Sequence, residues 1–308
     1  MEKIKVILDV DPGHDDAVAI LLAGRHPKLE VRGITVVAGN QVLDKTLQNA
    51  LNICEYAGLD IPVYAGMSRP LLREQVISTV HGESGLDGVE FGTVAKRAED
   101  QHAVDFIIKE ALASQGDLVL IPVGPLTNIA MALLKEPRIT KGIKEIVLMG
   151  GACGQGNYTA SAEFNIFADP EAAHIVFSSG LPLTMVGLDV TNQAIAYPHV
   201  LDRIKGLGSR VSRMVVDSMQ SYYAAYLTLG DWPGPAVHDV CAVAYVIDPS
   251  ILQVKKARVD VETNGGLTYG RTVCDFRAAP DRPANAQVAV GIDQEKLWDL
   301  LISVLEQY

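Results

Sequence analysis

The stretch Leu8–Ala17, "LDVDPGHDDA", joins the end of an apolar segment to four aspartates and one histidine. The segment "KVILDV" at residues 5–10 has the composition of a buried strand, and "DDAVAILLAGRHP" at residues 15–27 that of a helix. Pro12 restricts the backbone between them and Gly13 frees it, as a tight turn requires. A buried strand that turns directly into a helix predicts the first half of a β-α-β unit.

The same alternation of strand and helix continues along the chain. Predicted strands cover residues 30–40, 118–124, 143–151 and 181–190, and predicted helices cover residues 43–59, 102–116, 126–137 and 170–179. Beyond residue 200 the pattern predicts helices over residues 212–227 and 293–308 and a hairpin over residues 257–276. Such an order predicts an α/β fold with a Rossmann-like, doubly wound, mostly parallel sheet surrounded by helices. No linker, repeat or low-complexity segment interrupts it, so we expect a single domain over residues 1–308.

The charge balance of the 308 residues is acidic, with 26 lysines and arginines against 37 aspartates and glutamates and a formal net charge of −11. This balance disfavours binding to nucleic acids or anionic membranes, which need a basic surface. The first residues enter a strand without a signal-peptide core, and no apolar run approaches the ~20 residues of a membrane helix. The cysteines match neither a CxxC pair nor a disulfide framework, so the sequence predicts a cytoplasmic protein with four reduced thiols: Cys54, Cys153, Cys241 and Cys274.

Asp11, Asp15 and Asp16 lie at the junction of the first strand and helix, where two explanations compete. A carboxylate near a helix N-terminus stabilises the helix by about 0.3–1 kcal/mol, and a single aspartate would meet that need. Three packed carboxylates repel one another unless they take up protons or share a cation. All-oxygen ligands favour Ca²⁺ or Mg²⁺ over zinc, and calcium tolerates the irregular coordination of a loop. We therefore expect a calcium site, with magnesium as the alternative and His14 as a hydrogen-bonded neighbour.

Further polar residues follow other predicted strands, where ligands bind in open α/β sheets. If the chain around Glu163 is extended, Glu163 and Asn165 point the same way and, with Asn157, could bind several hydroxyls. A solvated loop explains that segment equally well. His238 and Asp239 precede an apolar helix, where Asp239 could be an N-cap only. The remaining strand ends carry Asn40, residues 123–128 ("VGPLTN"), residues 149–151 ("MGG") and Asp189.

Six of these motifs, taken in order over essentially the whole chain, resemble the signature of the inosine–uridine nucleoside hydrolase family. They are "DVDPGHDDA" (9–17), "VAGN" (37–40), "VGPLTNIA" (123–130), "MGGA" (149–152), "GNYTASAEFNIFADPEAA" (156–173) and "VHDVCA" (237–242). Four more make the chain most similar to the bacterial pyrimidine-specific members: "VYAGM" (63–67), "HGESGLDG" (81–88), "PVGPL" (122–126) and "GRTVCD" (270–275).

The resemblance implies hydrolysis of the N-glycosidic bond of ribonucleosides to free base and ribose, with one Ca²⁺ per subunit and a homotetrameric assembly. It implies that Asp11, Asp16, Asp239 and the backbone carbonyl of Val123 hold the ion, and that Asp11 is the general base. Many relatives carry threonine where this chain has Val123. Because the ligand is the main-chain oxygen, valine should serve as well.

The resemblance also distributes the substrate contacts. The leaving base would be protonated by His238 or His81, since histidine suits proton transfer near neutral pH. Tyr226 stands where pyrimidine-specific relatives carry glutamine, so a broad inosine–uridine specificity is the alternative to a pyrimidine preference. Tyr222, Tyr223 and Trp232 could stack on a base or simply pack in the core. The substrate-binding residues implied are Asp15, Asn40, Met149, Asn157, Glu163, Asn165, Tyr226 and His238.

Two other functions are compatible with parts of the sequence. The D-x-D pattern of Asp9 and Asp11 after a strand also occurs in metal-dependent phosphohydrolases, but no basic or glycine-rich phosphate contact stands beside it. A non-catalytic nucleoside-binding protein could have the same calcium pocket. Asp9 itself receives no role from the resemblance and is expected to be structural.

Overall fold

A nine-stranded sheet forms the centre of the molecule. The computed structural model describes residues 3–228, 230–277 and 279–308. The strands are β1 Ile4–Val10, β2 Leu29–Val36, β3 Val63–Ala65, β4 Leu118–Pro122, β5 Ile143–Met149, β6 Leu183–Val186, β7 Leu252–Val261, β8 Thr272–Asp275 and β9 Ala286–Ile292. They lie in the order β3-β2-β1-β4-β5-β6-β9-β7-β8.

The sheet is parallel over most of its width. β1 pairs in parallel with both β2 and β4, and parallel pairing continues through β5 and β6 to β9. Within the described residues, only β7 is antiparallel to both of its neighbours, β9 and β8. The chain winds outward from β1 in one direction and from β4 in the other, so the carboxyl ends of these two strands meet at a topological switch point. The predicted doubly wound α/β fold is confirmed.

Helices cover both faces of the sheet. Side chains of β1 alternate between the faces: Val6 and Leu8 pack with α1, α2 and α9–α11, and Ile7 packs with α3, α4 and α6. None of the helices in the described part of the chain is long and apolar enough to span a membrane. Their bounds are α1 His14–Arg25, α2 Leu43–Tyr56, α3 Ala103–Ala113, α4 Thr127–Lys135, α5 Phe164–Ala168, α6 Pro170–Phe177, α7 Leu188–Thr191, α8 Pro198–Gly206, α9 Arg210–Tyr226, α10 Val240–Ile247 and α11 Gln294–Leu305.

The strand predicted over residues 181–190 is too long. β6 ends at Val186, and Gly187 begins the short helix α7. The backbone N–H groups of Val190 and Thr191 both donate to the Gly187 carbonyl at 3.1 Å, so the backbone turns before Asp189. The apolar run over residues 181–190 predicts a single strand because a buried helix turn has the same composition as a buried strand. The predicted hairpin forms, since β7 and β8 pair antiparallel through the connection 262–271.

We expect Gly142→Ala to destabilise the fold. Gly142 lies between the 3₁₀ turn Pro137–Lys141 and β5, and a Cβ there would overlap the carbonyl of Ala111 in α3. Overpacking of this kind costs about 1–3 kcal/mol. Gly206→Ala is the matched control, because nothing lies within 4 Å of a Cβ at the end of α8. Urea unfolding of both variants checks this, and equal free energies of unfolding would contradict it.

Candidate active site

The turn between β1 and α1 is built around the side chain of Asp16. Its carboxylate accepts hydrogen bonds from the backbone N–H of Gly13 at 2.9 Å and of Asp11 at 3.2 Å. Asp11, Asp15 and Asp16 are all buried at this end of the sheet. Helix capping therefore accounts for Asp16 but leaves Asp11 and Asp15 unexplained.

Asp239 joins these aspartates from the far end of the sequence. It directly precedes α10, which packs against α1, and its carboxylate makes no capping hydrogen bond. One oxygen each of Asp15, Asp16 and Asp239 lies within 4.8 Å of the others, a group we call the carboxylate cluster. The backbone N–H of His238 donates to Asp15 at 3.2 Å and fixes the approach of this segment. Because the Asp239 carboxylate does not cap α10, a capping role does not explain this aspartate.

Burial makes the negative charge of the carboxylate cluster costly. Desolvation, with the charge of Asp16, raises the pKa of Asp15 to about 7, and desolvation raises that of Asp16 to about 6. The pKa of Asp239 lies well above its usual value because of burial and then the charges of Asp15 and Asp16. Such a group holds protons or a cation, and its all-oxygen donors fit a hard divalent ion.

Asp11 lies beside the carboxylate cluster and is held by Asn40. The Asn40 backbone N–H donates to Asp11 Oδ2 at 2.7 Å, and the Asn40 amide donates to the Asp11 carbonyl at 3.1 Å. Asp11 Oδ1 is buried and has no hydrogen-bond partner among the described residues. Gly39 and Gly124 enclose this carboxylate so closely that a Cβ at either position would overlap it. Burial and then the charge of Asp16 raise the pKa of Asp11 well above its usual value.

A cavity of about 360 Å³ opens above these carboxylates, a size that suits a small molecule. Asp11 and Asp16 lie beneath it rather than among its lining residues. Thirteen of the residues singled out from the sequence line it: Asp15, Asn40, His81, Val123, Met149, Asn157, Glu163, Asn165, Tyr222, Tyr226, Trp232, His238 and Asp239.

Glu163 itself has an extended backbone, but a helix begins at the next residue, so the condition of an extended chain from Glu163 through Asn165 is not met. Glu163 is the N-cap of α5, and its carboxylate accepts from the backbone N–H groups of Asn165 at 2.8 Å and Ile166 at 3.2 Å. These capping bonds favour a helix over a strand. Gly151 donates a further backbone hydrogen bond to Glu163 at 2.9 Å. The two polar side chains nevertheless both line the cavity, because the helix begins at its wall.

Asn165 connects two strand ends on the cavity floor. Its amide donates to the carbonyl of Val123 at 2.7 Å and to that of Met149 at 3.2 Å. A carbonyl oxygen has two lone pairs, so Val123 keeps one for another partner. Asn157 supports the same wall by accepting the backbone N–H of Phe164 at 2.9 Å.

His14 and His81 form a hydrogen-bonded pair stacked on Tyr222. The ring of Tyr222 lies 4.9 Å from each imidazole, and the two Nδ1 atoms are 3.0 Å apart. His14 Nε2 lies 2.9 Å from the carbonyl of Asp87, which can only accept, so Nε2 carries a proton. Burial lowers the pKa of both histidines and keeps them neutral. His14 engages His81 Nδ1 through its backbone N–H, which donates at 3.3 Å, as well as through its ring, so Nε2 is the remaining ring nitrogen of His81.

His238 is held between two hydroxyl groups. Its Nε2 lies 2.8 Å from the Tyr226 hydroxyl, and its Nδ1 lies 2.8 Å from Thr191 Oγ1. Burial lowers the pKa of His238 to about 4, so the ring is neutral at neutral pH. Trp232 packs edge-on against Tyr226, with the ring centres 5.3 Å apart. Sequence reasoning missed Thr191 and the cavity-lining Asn192, whose only signal was their place after an apolar run.

Asp9 does not line the cavity. Asp9 Oδ1 accepts from the Thr35 hydroxyl at 2.5 Å and from the Asn128 amide at 2.8 Å. Burial raises its pKa to about 7. These bonds join β1 to β2 and to α4, which supports a structural role.

The doubly wound sheet and the polar cavity at its switch point define the class of protein, and comparison with known proteins identifies the family. The model of the family "Inosine-uridine preferring nucleoside hydrolase" matches residues 6–299. The chain therefore belongs to this family. It is a ribonucleoside hydrolase, an enzyme that cleaves N-glycosidic bonds.

Relatives of known structure or curated function agree with this membership. The pyrimidine-specific ribonucleoside hydrolase RihB of Escherichia coli O17:K52:H18 is 48% identical over 309 residues, covering 100% of this chain and 99% of the relative. RihB of Shigella sonnei has the same identity and coverage. A purine-preferring ribonucleoside hydrolase from Gardnerella vaginalis superposes with a TM-score of 0.92 at 36% identity, covering 99% of this chain and 100% of that one. The family predicted from the sequence motifs is confirmed.

We expect the metal-stripped protein to lose stability as pH rises. The raised pKa values of Asp15 and Asp16 mean that the folded state binds protons more tightly than the unfolded chain, whose carboxyls titrate near 3.8. The stabilisation that comes from these bound protons is fully present below pH 3.8 and is lost as pH rises through 6 to 7. Added Ca²⁺ should therefore raise Tm more at about pH 8 than at about pH 5.5. Thermal melts in chelator and in calcium check this, and an equal calcium effect at both pH values would contradict it.

Proposed function

We propose that the chain hydrolyses pyrimidine ribonucleosides, uridine and cytidine, to free base and ribose, using one Ca²⁺ per subunit. The observation that carries the proposal is the buried carboxylate cluster beneath a polar cavity of nucleoside size. The pyrimidine preference rests on the RihB relatives. A broad inosine–uridine specificity is the second candidate, because a structural relative with 36% identity prefers purines.

The cation would be held by Asp11, Asp16, Asp239 and the free lone pair of the Val123 carbonyl. When bound, Ca²⁺ supplies positive charge that acidifies water and attracts hydroxyl oxygens. The unpartnered Oδ1 of Asp11 and the raised pKa values around it support this assignment. Asp15 belongs to the same carboxylate cluster, but backbone N–H groups of His238 and Asp239 already donate to it, so we assign it to ribose rather than to the ion.

Asp11 is the proposed general base. Asn40 occupies Oδ2 of Asp11 and fixes the side chain, so Oδ1 is the atom that takes the proton from the attacking water. Burial raises the affinity of this carboxylate for a proton. Cleavage proceeds through an oxocarbenium-like state, and the negative charge of the neighbouring carboxylates stabilises the positive charge that develops on the ribose.

The polar cavity wall provides the proposed contacts to ribose. Asp15 and Asn40 would bind near the 2′-hydroxyl, and Asn165 and Asp239 would bind the diol. The 5′-hydroxyl would meet Asn157 and Glu163, with Met149 beneath the sugar. All of these polar residues except the exposed Asn157 are buried, so a substrate that lacks a hydroxyl leaves a buried polar group without that partner and is disfavoured. 2′-Deoxyribonucleosides should accordingly be poor substrates.

The leaving base would meet His238 and His81, with Tyr226 beside them. His238 is neutral and both its ring nitrogens contact hydroxyl groups, so it would assist departure as an N–H donor that exchanges a hydroxyl partner for the base. Because His14 engages Nδ1 of His81, Nε2 is the ring nitrogen left to contact the base. Both histidines line the cavity and are proposed contacts of the departing base.

We infer a homotetramer from the family resemblance. The free state of Cys54, Cys153, Cys241 and Cys274 supports a reducing, cytoplasmic location.

Purified protein with calcium should release free base from uridine and cytidine faster than from inosine or adenosine. Chromatography of the bases measures this directly. Faster cleavage of inosine would favour the broad-specificity candidate. Release of phosphate from uridine monophosphate without release of base would contradict the proposal, and tight uridine binding without turnover would identify a binding protein.

Asp11→Asn should reduce the kcat for uridine by about 10²–10⁴-fold, the usual contribution of a general base. The amide preserves the shape of the carboxylate, so Tm should stay within a few degrees of the wild-type value. Asp117→Asn is the matched control, because Asp117 lies on the surface in an ion pair with Lys5. Unchanged turnover by folded Asp11→Asn would refute its role as the base.

A further inference from the structure

Two of the four cysteines come together beside the site. Cys153 follows β5 in the segment that carries Gly151, and Cys274 lies on β8 at the edge of the sheet. Both are free thiols in half-buried residues, whereas Cys54 and Cys241 are buried. Only the first two combine partial exposure with a neighbouring thiol among the described residues, and we call them the thiol pair.

Backbone hydrogen bonds hold the two segments together. The Thr272 hydroxyl accepts from the Ala152 N–H at 2.9 Å and donates to the Ala152 carbonyl at 2.8 Å. The guanidinium of Arg271 donates to the Cys153 carbonyl at 3.0 Å. Residues two apart on a strand point to the same face, so Cys274 points the same way as Thr272. Cys274 therefore faces the segment in which Cys153 follows Ala152.

The side chains complete this contact. The Cys153 thiol lies next to the Cys274 thiol and the Asp189 carboxylate, and both neighbours act on its pKa. Asp189 is itself fixed by the backbone N–H groups of Cys153 at 2.7 Å and Gly154 at 3.0 Å. The Cys274 contact, burial and the charge of Asp189 raise the pKa of Cys153, so this thiol stays protonated. The first oxidation then falls on Cys274, with Cys153 as the resolving thiol.

We propose that Cys153 and Cys274 are a reversible redox pair that peroxide converts to a disulfide. Peroxide oxidises the Cys274 thiol to a sulfenic acid and is itself reduced to water. The Cys153 sulfur then attacks the Cys274 sulfur, Asp189 takes the Cys153 thiol proton, and the hydroxyl leaves as a second water with that proton. Two thiols and one peroxide thus give one disulfide and two waters, and a dithiol reductant reverses the change.

The disulfide would act on the cavity through Gly151. Bonded sulfurs lie about 2.05 Å apart, closer than two unbonded thiols, so the segment after β5 must move toward β8. That segment supplies the Gly151 N–H that supports Glu163 at 2.9 Å. Under the proposed function Glu163 binds the 5′-hydroxyl of ribose, so oxidation should weaken substrate binding. Within the described residues the thiol pair and Asp189 form no three-ligand metal group, which favours oxidation over metal binding.

Peroxide treatment of the reduced holoenzyme, followed by alkylation, digestion and mass spectrometry without reductant, tests the pairing. We expect a linked Cys153–Cys274 peptide in the wild type that dithiothreitol removes. Cys153→Ser and Cys274→Ser should lack the link, and the control Cys54→Ala should keep it. A wild-type protein that yields only sulfinic or sulfonic acid, or pairs with another cysteine, would overturn the pairing.

Kinetics on the same samples test the link to the cavity. The KM for uridine should rise on oxidation in the wild type and stay constant in Cys153→Ser. An unchanged KM in fully cross-linked protein would overturn the coupling to Glu163 while leaving the pairing intact. Failure of the reduced wild type to cleave uridine would count against the proposed function alone, since the cross-link is detected by mass.

Discussion

Four buried carboxylates repel one another at the carboxyl end of the sheet. Asp11, Asp15, Asp16 and Asp239 lie together there, and burial raises the pKa of each. Two unit charges at such separations repel by several kcal/mol at an effective dielectric constant of about 20. No lysine or arginine forms an ion pair with them among the described salt bridges. The fold therefore tolerates this charge only with protons or a cation.

The sheet topology explains why the charges meet. β1 and β4 are neighbours at the switch point, so Asp11 after β1 lies beside Val123 after β4. α10 packs against α1 and brings Asp239 to Asp15 and Asp16. The buried sheet and helices hold these chain segments rigidly, whereas the polar side chains come from the segments that follow the strands. Ligand-binding residues of open α/β sheets commonly lie at this position, beyond the carboxyl ends of the strands.

The sequence predicts structure that depends on neighbouring residues, but it does not predict contacts between segments that are distant in the chain. The apolar run before Asp9 and the Pro12–Gly13 turn predicted β1 and α1 correctly. α5 was missed because its stability depends on Glu163 capping its own backbone, a contact that spacing alone does not reveal. The approach of Asp239 to Asp15 and Asp16, the contact of His14 with His81, and the thiol pair all depend on tertiary contacts. Each joins groups from distant parts of the chain.

We propose that the carboxylate cluster and Asp11 bind a calcium ion. Isothermal titration of metal-free protein with Ca²⁺ near neutral pH, with Asp239→Asn as the comparison, tests this proposal. We expect a single saturable site in the wild type, proton release on binding, and a large loss of affinity in Asp239→Asn. An absence of saturable calcium binding by folded wild-type protein, or equal affinity in the variant, would contradict it.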